Sequence, residues 1–345
     1  MAKKCIFCGK TPEDKNKEHV IPQWLSKMTG RYNSVCDLSG VTDMQIPFKQ
    51  LVFPACTSCN SDYAKMEAVS KTIITNIMNG KPVNASDLNI LLDWFDKVRV
   101  GMWLGQLMLT KKLDSEIAPK FYIADRVGVK DRMLMIERVD GIGKGLGFCG
   151  ANTPLFMQSP SVFQLILDDY VFTSASELGL VSNRLGFPNI SKISYSTFEV
   201  ASATISAGRN KTKHPVVSDI NASPNRFIVY QPIFKCAMPL TDEDKKYYGT
   251  DYVTKHCINA EHGRGGIFYQ KNDNTIRYLD DKSSVSLSPK PYNTERATSV
   301  FTKTYELQNF VMENRTDMKN SAMHVKQTCA QLVLQNKLLL SGFSR

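Results

Sequence analysis

Four cysteines in two Cys-x-x-Cys pairs, Cys5/Cys8 and Cys56/Cys59, enclose the run Glu18-His19-Val20 and Pro22, and Asn60 follows the last of them directly. Thiolates at this spacing can close a tetrahedral zinc site, and a zinc held by four cysteines keeps no open position for a substrate. Such a site is structural. It ties the chain near residue 5 to the chain near residue 56, and so carries Glu18, His19 and Asn60 toward one another. Phosphodiester hydrolysis needs an activated water, charge neutralisation on the phosphate and stabilisation of the leaving oxygen. A histidine that titrates near neutral pH can take the water's proton. A carboxylate and an amide oxygen are hard donors suited to Mg2+ or Mn2+. His19 is the only histidine in the first 200 residues. In an extended segment Glu18 and His19 point to opposite faces, unless local twist brings both to the phosphate edge.

Plainer roles stand beside these. The four cysteines could hold zinc in a ribbon without catalysis, His19 could be an ordinary packed histidine, and Asn60 could cap a helix. Asp62 is an alternative metal ligand. Glu67, two turns further on, reads as a helix-surface or supporting residue.

The set Cys5-Ile6-Phe7-Cys8, Glu18-His19-Val20-Ile21-Pro22 and Cys56-Thr57-Ser58-Cys59-Asn60 resembles the HNH endonucleases, the ββα-metal nucleases, in their cysteine-bearing, zinc-containing branch. The resemblance covers about residues 4–67, a fifth of the chain. It implies that His19 is the general base. It implies that Glu18 and Asn60 bind the catalytic divalent metal, Mg2+ or Mn2+, and that Cys5, Cys8, Cys56 and Cys59 hold structural Zn2+. It further implies products with 5′-phosphate and 3′-hydroxyl ends. One element departs from the family pattern: the asparagine that braces the metal loop has no obvious counterpart, Gln50 being nearest by position and Asn33 a distant second. The gap between the cysteine pairs is also long, consistent with an insertion around residues 29–48.

These residues need elements to place them. Lys4–Lys10 reads as a short strand and a turn, Val20–Leu25 as extended, 29–48 as mostly loop, and Gln50–Phe53 as a short strand. From Asn60 the apolar spacing turns helical. Breakers Gly80 and Pro82 mark a linker near Asn79–Asn84. Ala85-Ser86-Asp87 suits a helix start, followed by a long amphipathic helix from about Asp87 to Leu109 with Trp94, Phe95, Val98 and Trp103. Short strands are expected at Phe121–Ala124, Met133–Val139, Phe163–Leu167, Tyr170–Phe172, Ser194–Phe198 and Phe227–Tyr230, with Asp168-Asp169 as a tight hairpin turn. The glycine-rich Gly141–Gly147 lacks the lysine and Ser/Thr ending of a phosphate-binding loop and reads as a hairpin loop. Helices return at Thr304–Glu313 and Met323–Leu340. The expected fold is α+β, with a small N-terminal ββα-metal zinc module over 1–75 and a larger mixed α+β domain over 85–345.

The chain has 345 residues, 42% of them hydrophobic, and a formal net charge of +10. That balance suits a polyanionic partner, nucleic acid and most readily DNA. Residues 1–70 hold nine Lys/Arg and seven acids, so most of the excess lies in the larger part of the chain. Five cysteines (Cys36, Cys149, Cys236, Cys257 and Cys329) are scattered, which fits a reducing cytoplasm better than a disulfide framework. The N-terminus lacks the apolar run of a signal peptide, and no run is long enough to span a membrane. Elsewhere the signals are thin. His214 sits in a basic loop, His256, Cys257 and His262 match no metal spacing, and Tyr247-Tyr248 behind Lys245-Lys246 could stack on bases or simply pack. The expected function is a DNA endonuclease, plausibly a defence or restriction effector, acting alone, as a homo-oligomer or with a partner protein. The alternatives are a non-cleaving zinc protein that binds nucleic acid, or a nuclease subunit silent outside its complex.

Overall fold

The computed structural model describes residues 4–14, 16–37, 45–110, 122–157, 161–196, 199–206, 216, 226–233, 242, 263–270, 275–289, 297–318 and 322–343. His214, Lys245, Lys246, Tyr247, Tyr248, His256, Cys257 and His262 lie outside them. The chain is of mixed α+β type.

Strand β1 (Lys17–His19) pairs antiparallel with β4 (Val52–Pro54), setting Glu18 opposite Phe53 and His19 opposite Val52. Helix α2 (Thr57–Met78) follows β4 at once, so the order strand, strand, helix is present around the cysteines. Between β1 and β4 lie helix α1 (Gln23–Met28), strands β2 (Val35–Asp37) and β3 (Gln45–Pro47) paired as a hairpin, and a tight turn of helix at Phe48–Gln50. Two expectations change here. Val20–Leu25 is not extended throughout, because Pro22 leads into α1 with a backbone set for a helix start. The described part of the stretch 29–48 is not loop throughout, because its polar composition hides two three-residue strands.

Helix α3 (Ala85–Leu109) begins two residues before the expected Asp87, and its cap is Asn84. The Asn84 side chain accepts from Asp87 N at 2.8 Å, and Asp87 Oδ2 accepts from Asn84 N at 3.1 Å, a reciprocal capping box. Asn84 also belongs to β5 (Val83–Asn84), which pairs with β15 (Ser284–Val285). The helix is not simply amphipathic: seventeen of its residues are buried, Asp96, Lys97 and Arg99 among them. At Gly105 the backbone approaches β4 so closely that a Cβ would stand 2.7 Å from the Phe53 ring.

The larger part of the chain is built on a seven-stranded antiparallel sheet, in the order β14-β13-β12-β6-β9-β8-β7. The strands are β6 (Asp131–Arg138), β7 (Leu146–Cys149), β8 (Ser161–Leu167), β9 (Tyr170–Glu177), β12 (Arg226–Gln231), β13 (Phe268–Gln270) and β14 (Ile276–Tyr278). A separate hairpin joins β10 (Asn189–Ser196) to β11 (Glu199–Ser206). Phe121–Ala124 is not a strand in its described part, since Ile123–Asp125 forms a turn of helix. Asp168 takes φ 53° in the two-residue connection of β8 to β9, the left-handed conformation such turns require.

Alternation sorts the sheet's side chains onto two faces. Leu134, Ile136, Phe163, Leu165, Phe172, Phe227 and Val229 join the cluster around α3, which also contains Ile6, Phe7, Val20, Leu25 and Phe53 from the cysteine-bearing segment. Met133, Met135, Val162, Ile228 and Tyr230 face the other way, onto Leu307 and Val311. Those two belong to the helix Ala297–Glu313, which starts seven residues before the expected Thr304. The short helices Pro154–Met157 and Leu180–Leu185 and the C-terminal helix Met323–Phe343 complete the description. No helix among the described residues is long and apolar enough to cross a membrane.

The sheet contains one pair of titratable groups with a consequence for stability. Asp131 and Glu177 face each other across β6 and β9, both wholly buried. Asp131 accepts from Ser182 N, Ser182 Oγ and Ile233 N at 2.6–2.7 Å; Glu177 accepts from Leu180 N and Val181 N at 2.7 Å. Burial outweighs these bonds, pushing Asp131 up to about 6 and Glu177 well above the carboxylate range, so that the pair shares a proton in the fold. Raised folded-state values mean that the stabilisation is whole below the unfolded carboxylate values and fades as pH rises through about 6. Glu177→Gln keeps a neutral partner for Asp131 at every pH. Its urea midpoint is therefore expected to gain on that of the wild type as pH rises from about 6 to about 8.5; parallel profiles for the two proteins would show that no proton is shared.

Candidate metal centre and its neighbours

The chain reverses at each cysteine pair and brings the two turns together. The first turn is closed by Cys5 N to Lys10 O at 2.8 Å and Gly9 N to Cys5 O at 2.8 Å, and it is held to the strand before the second by Ile6 N to Pro54 O at 2.9 Å. Its other side rests on the turn Ile123–Asp125, through Ala124 N to Phe7 O at 2.9 Å. The Phe7 ring stacks on Tyr63 of α2 at 4.3 Å between centroids. Against this frame the sulfurs of Cys5, Cys8, Cys56 and Cys59 all lie within 4.8 Å of one another, Cys8 and Cys56 being 3.9 Å apart. A tetrahedral site with bonds of about 2.3 Å places its sulfurs about 3.8 Å apart, so the four residues can hold a metal ion such as zinc.

The packing of the cluster shifts three of its thiols. Burial raises the Cys5 thiol, but hydrogen bonds from the backbone of Cys56, Cys8 and Phe7 bring it below the ordinary value. Burial, reinforced by the neighbouring thiols, pushes Cys56 up to about 12 and Cys59 up to about 11. A divalent cation is what allows four such sulfurs to ionise together.

Glu18 and His19 stand side by side on β1 and part company as strand neighbours do. Glu18 turns inward, 6% exposed, and His19 is half-buried. The amide nitrogen of Gln23, the first residue of α1, lies 3.0 Å from His19 Nε2, and Lys27 Nζ donates to Gln23 Oε1 at 3.1 Å. Lys27 thus sets the orientation of the amide, whose nitrogen faces a ring that accepts when neutral. Burial lowers the pKa of His19 from the ordinary histidine value, as do Lys97 and Lys27, against a backbone hydrogen bond with Lys49 and the charge of Glu67. At neutral pH the imidazole is therefore uncharged.

Glu67 is not a surface residue. Lys97 of α3, 1% exposed, donates to Glu18 Oε1 and to Glu67 Oε1. Burial opposes the Lys97 ammonium, but the two carboxylates outweigh it and hold the group above the ordinary lysine range. One ammonium does not balance two carboxylates, and burial leaves Glu67 above the ordinary carboxylate range. Neither Glu18 Oε2 nor Glu67 Oε2 has a hydrogen-bond partner among the described residues.

Asn60 sits in the first turn of α2, and its Nδ2 donates to Asn16 Oδ1 at 3.4 Å and Lys17 O at 3.3 Å. It therefore grips the beginning of β1, whereas Glu67, two turns along α2, meets Glu18. Asn60 Oδ1 has no partner among the described residues. Asp62 is exposed and pairs with Lys65 at 3.4 Å. Asn33 accepts from Lys49 Nζ at 3.1 Å, and Gln50 is exposed at the end of its turn; the residue that touches His19 from this loop is Lys49, through its backbone. Gly141–Gly147 is a loop into β7, where Lys144 O accepts from Arg31 at 3.0 Å.

Lys97, Gln23 and Lys27 were not legible as members of this group. The signal for Lys97 was present: Asp93, Asp96, Lys97 and Arg99 put four charges into seven residues of a helix otherwise rich in Leu, Trp, Phe and Val. A helix that buries several faces must pair such charges. No family model, curated protein or solved structure matches this chain.

Proposed function

We propose that this protein is a divalent-metal-dependent endonuclease of the HNH type that hydrolyses phosphodiester bonds, with DNA as substrate. The observation that carries the reading is the placement of a neutral, half-buried His19 beside the inward-facing Glu18, on a strand paired with the one that leads into a four-thiolate cluster. The strand, strand, helix order around the cluster supports it, as does the formal charge of +10.

In this reading His19 takes a proton from water as the water attacks phosphorus. Glu18, through Oε2, and Asn60, through Oδ1, are the donors for Mg2+ or Mn2+; both atoms are uncommitted among the described residues, and oxygen donors of this kind suit either ion. The ion, when bound, supplies charge neutralisation on the phosphate and stabilisation of the 3′ leaving oxygen. Cys5, Cys8, Cys56 and Cys59 hold structural zinc and do no chemistry. Lys27 and Lys49 are exposed near His19 and offer cations to the phosphates on either side of the cut. The charge excess beyond residue 70 holds the rest of the nucleic acid. A cytoplasmic defence or restriction role fits a nuclease fused to a large companion region, acting as a homo-oligomer or with a partner protein.

The test is nicking of supercoiled plasmid with Mg2+ present or omitted. Omission is preferable to a chelator, which would also strip the thiolate site. Nicking that needs Mg2+ or Mn2+ is the expected result. Binding of the plasmid without cutting under either ion would sink the nuclease assignment and leave a binding protein.

A further inference from the structure

We infer that Lys97 is the positioning residue of this site, holding Glu18 and Glu67 by one oxygen each so that the second oxygens of both carboxylates are left as donors for one divalent cation. The inference rests on the proposed nuclease reading for the identity of the reaction, but the arrangement stands on geometry. Three elements meet at the ammonium: Glu18 comes from β1, Glu67 from the third turn of α2 and Lys97 from the middle of α3. At 1% exposure Lys97 can touch no substrate. It lies behind the carboxylates, and their second oxygens are left without partners among the described residues. The count of charges, two negative to one positive, leaves room for a further cation in front.

Lys97 thereby adds Glu67 to Glu18 and Asn60 as a third oxygen donor for the ion. Asn60 is one strand residue before Glu18 by its contact with Lys17 O. Glu67 shares the ammonium with Glu18 directly. Lys97 is not a point charge dropped into a core at random either, since the helix carrying it also buries Asp96 and Arg99, which pair with each other at 2.9 Å and with further partners: Asp96 Oδ2 accepts from Gly128 N at 2.9 Å, and Arg99 donates to Ser161 Oγ at 2.8 Å.

The experiment measures Mn2+ binding to the zinc-loaded full chain, from the loss of the free Mn2+ electron paramagnetic resonance signal, for wild type, Glu67→Gln, Lys97→Met and Lys97→Met/Glu67→Gln. Zinc content and melting are recorded for each. Groups that support metal ligands from behind cost about 10–100-fold in affinity when removed. Glu67→Gln and Lys97→Met are each expected to weaken Mn2+ binding by about that factor, and the double variant by little more than either alone, because the two act as one unit. Should Lys97→Met lose its fold, the double variant, with one buried carboxylate fewer to leave uncompensated, is read against Glu67→Gln in its place. Wild-type Mn2+ binding in a folded Lys97→Met, additive losses in the double variant, or no Mn2+ binding by the wild type would each overturn the inference. A wild type that binds Mn2+ through Glu67 and Lys97 yet never cuts would sink the nuclease reading alone.

Discussion

Cys56→Ser is expected to remove the metal from the thiolate cluster and to unfold the segment from Cys5 to about Met78. Structural zinc sites supply about 10–16 kcal/mol of apparent binding free energy at neutral pH, and in small domains that energy is folding energy. Apart from its packing onto the core around α3 and the Lys97 ion pairs, the segment has little regular structure to hold it. Its strands are three residues long, with β1 and β4 joined over only three residue pairs, and the first cysteine turn is attached by a handful of backbone bonds. Cys56 also donates its own N–H to Cys5 Sγ at 3.3 Å, so its side chain and backbone both serve the cluster. Without the cation the Cys59 thiol reverts to the protonated state toward which burial already pushes it. Metal analysis should find zinc in the wild type and none in the variant. Limited trypsin digestion should open new cuts at Lys10, Lys17 and Lys27, exposed residues whose backbone the folded segment fixes in a turn, a strand and a helix. A variant that keeps its zinc and its resistance to trypsin would show that three thiolates suffice.

His19→Ala is expected to abolish nicking while leaving zinc content and melting close to wild type. A positioned general base contributes about 10²–10⁴-fold. The half-buried ring touches Gln23 but fills no part of the apolar cluster, so its removal costs little packing. The pH profile carries the sign. The base works when neutral, and burial lowers its pKa from the ordinary value of 6.5, so nicking should hold through neutral pH and fall on an acid limb centred below that value. An acid limb above it would mean that the carboxylates govern His19 in the working state. Equal nicking by wild type and His19→Ala would remove His19 from the mechanism.

What could be read from the sequence was what lies close along it. The cysteine pairs announce a cluster because two-residue spacing fixes both sulfurs of each turn, and the paired strands β8 and β9 announce themselves through apolar runs on either side of Asp168-Asp169. The cap at Asn84 was missed by a single residue, since Ser86 and Asp87 are equally good capping types and only the strand pairing of Asn84 decides between them. Helix α1 was obscured by Pro22, which breaks an extended run and also suits the entrance of a helix. Glu67 was legible as a helix-surface or supporting residue, but not as the residue that shares Lys97 with Glu18. Its role is set by Lys97, thirty residues away on another helix, and no local pattern reports which charge meets which across a core.

That meeting bears on how such a site could be inherited or transplanted. The thiolates, the histidine and both carboxylates all lie before residue 70, which makes the segment look like a portable cassette. Its counter-charge does not travel with it. A graft ending at the close of α2 would carry Glu18 and Glu67 into a new host with their carboxylates facing each other and no ammonium behind them, and the host would have to offer a buried cation at the same spot. Recombination that moves this segment between proteins should therefore succeed when its boundary falls beyond the middle of α3, so that the cutting edge and the helix that backs it move as one inheritance.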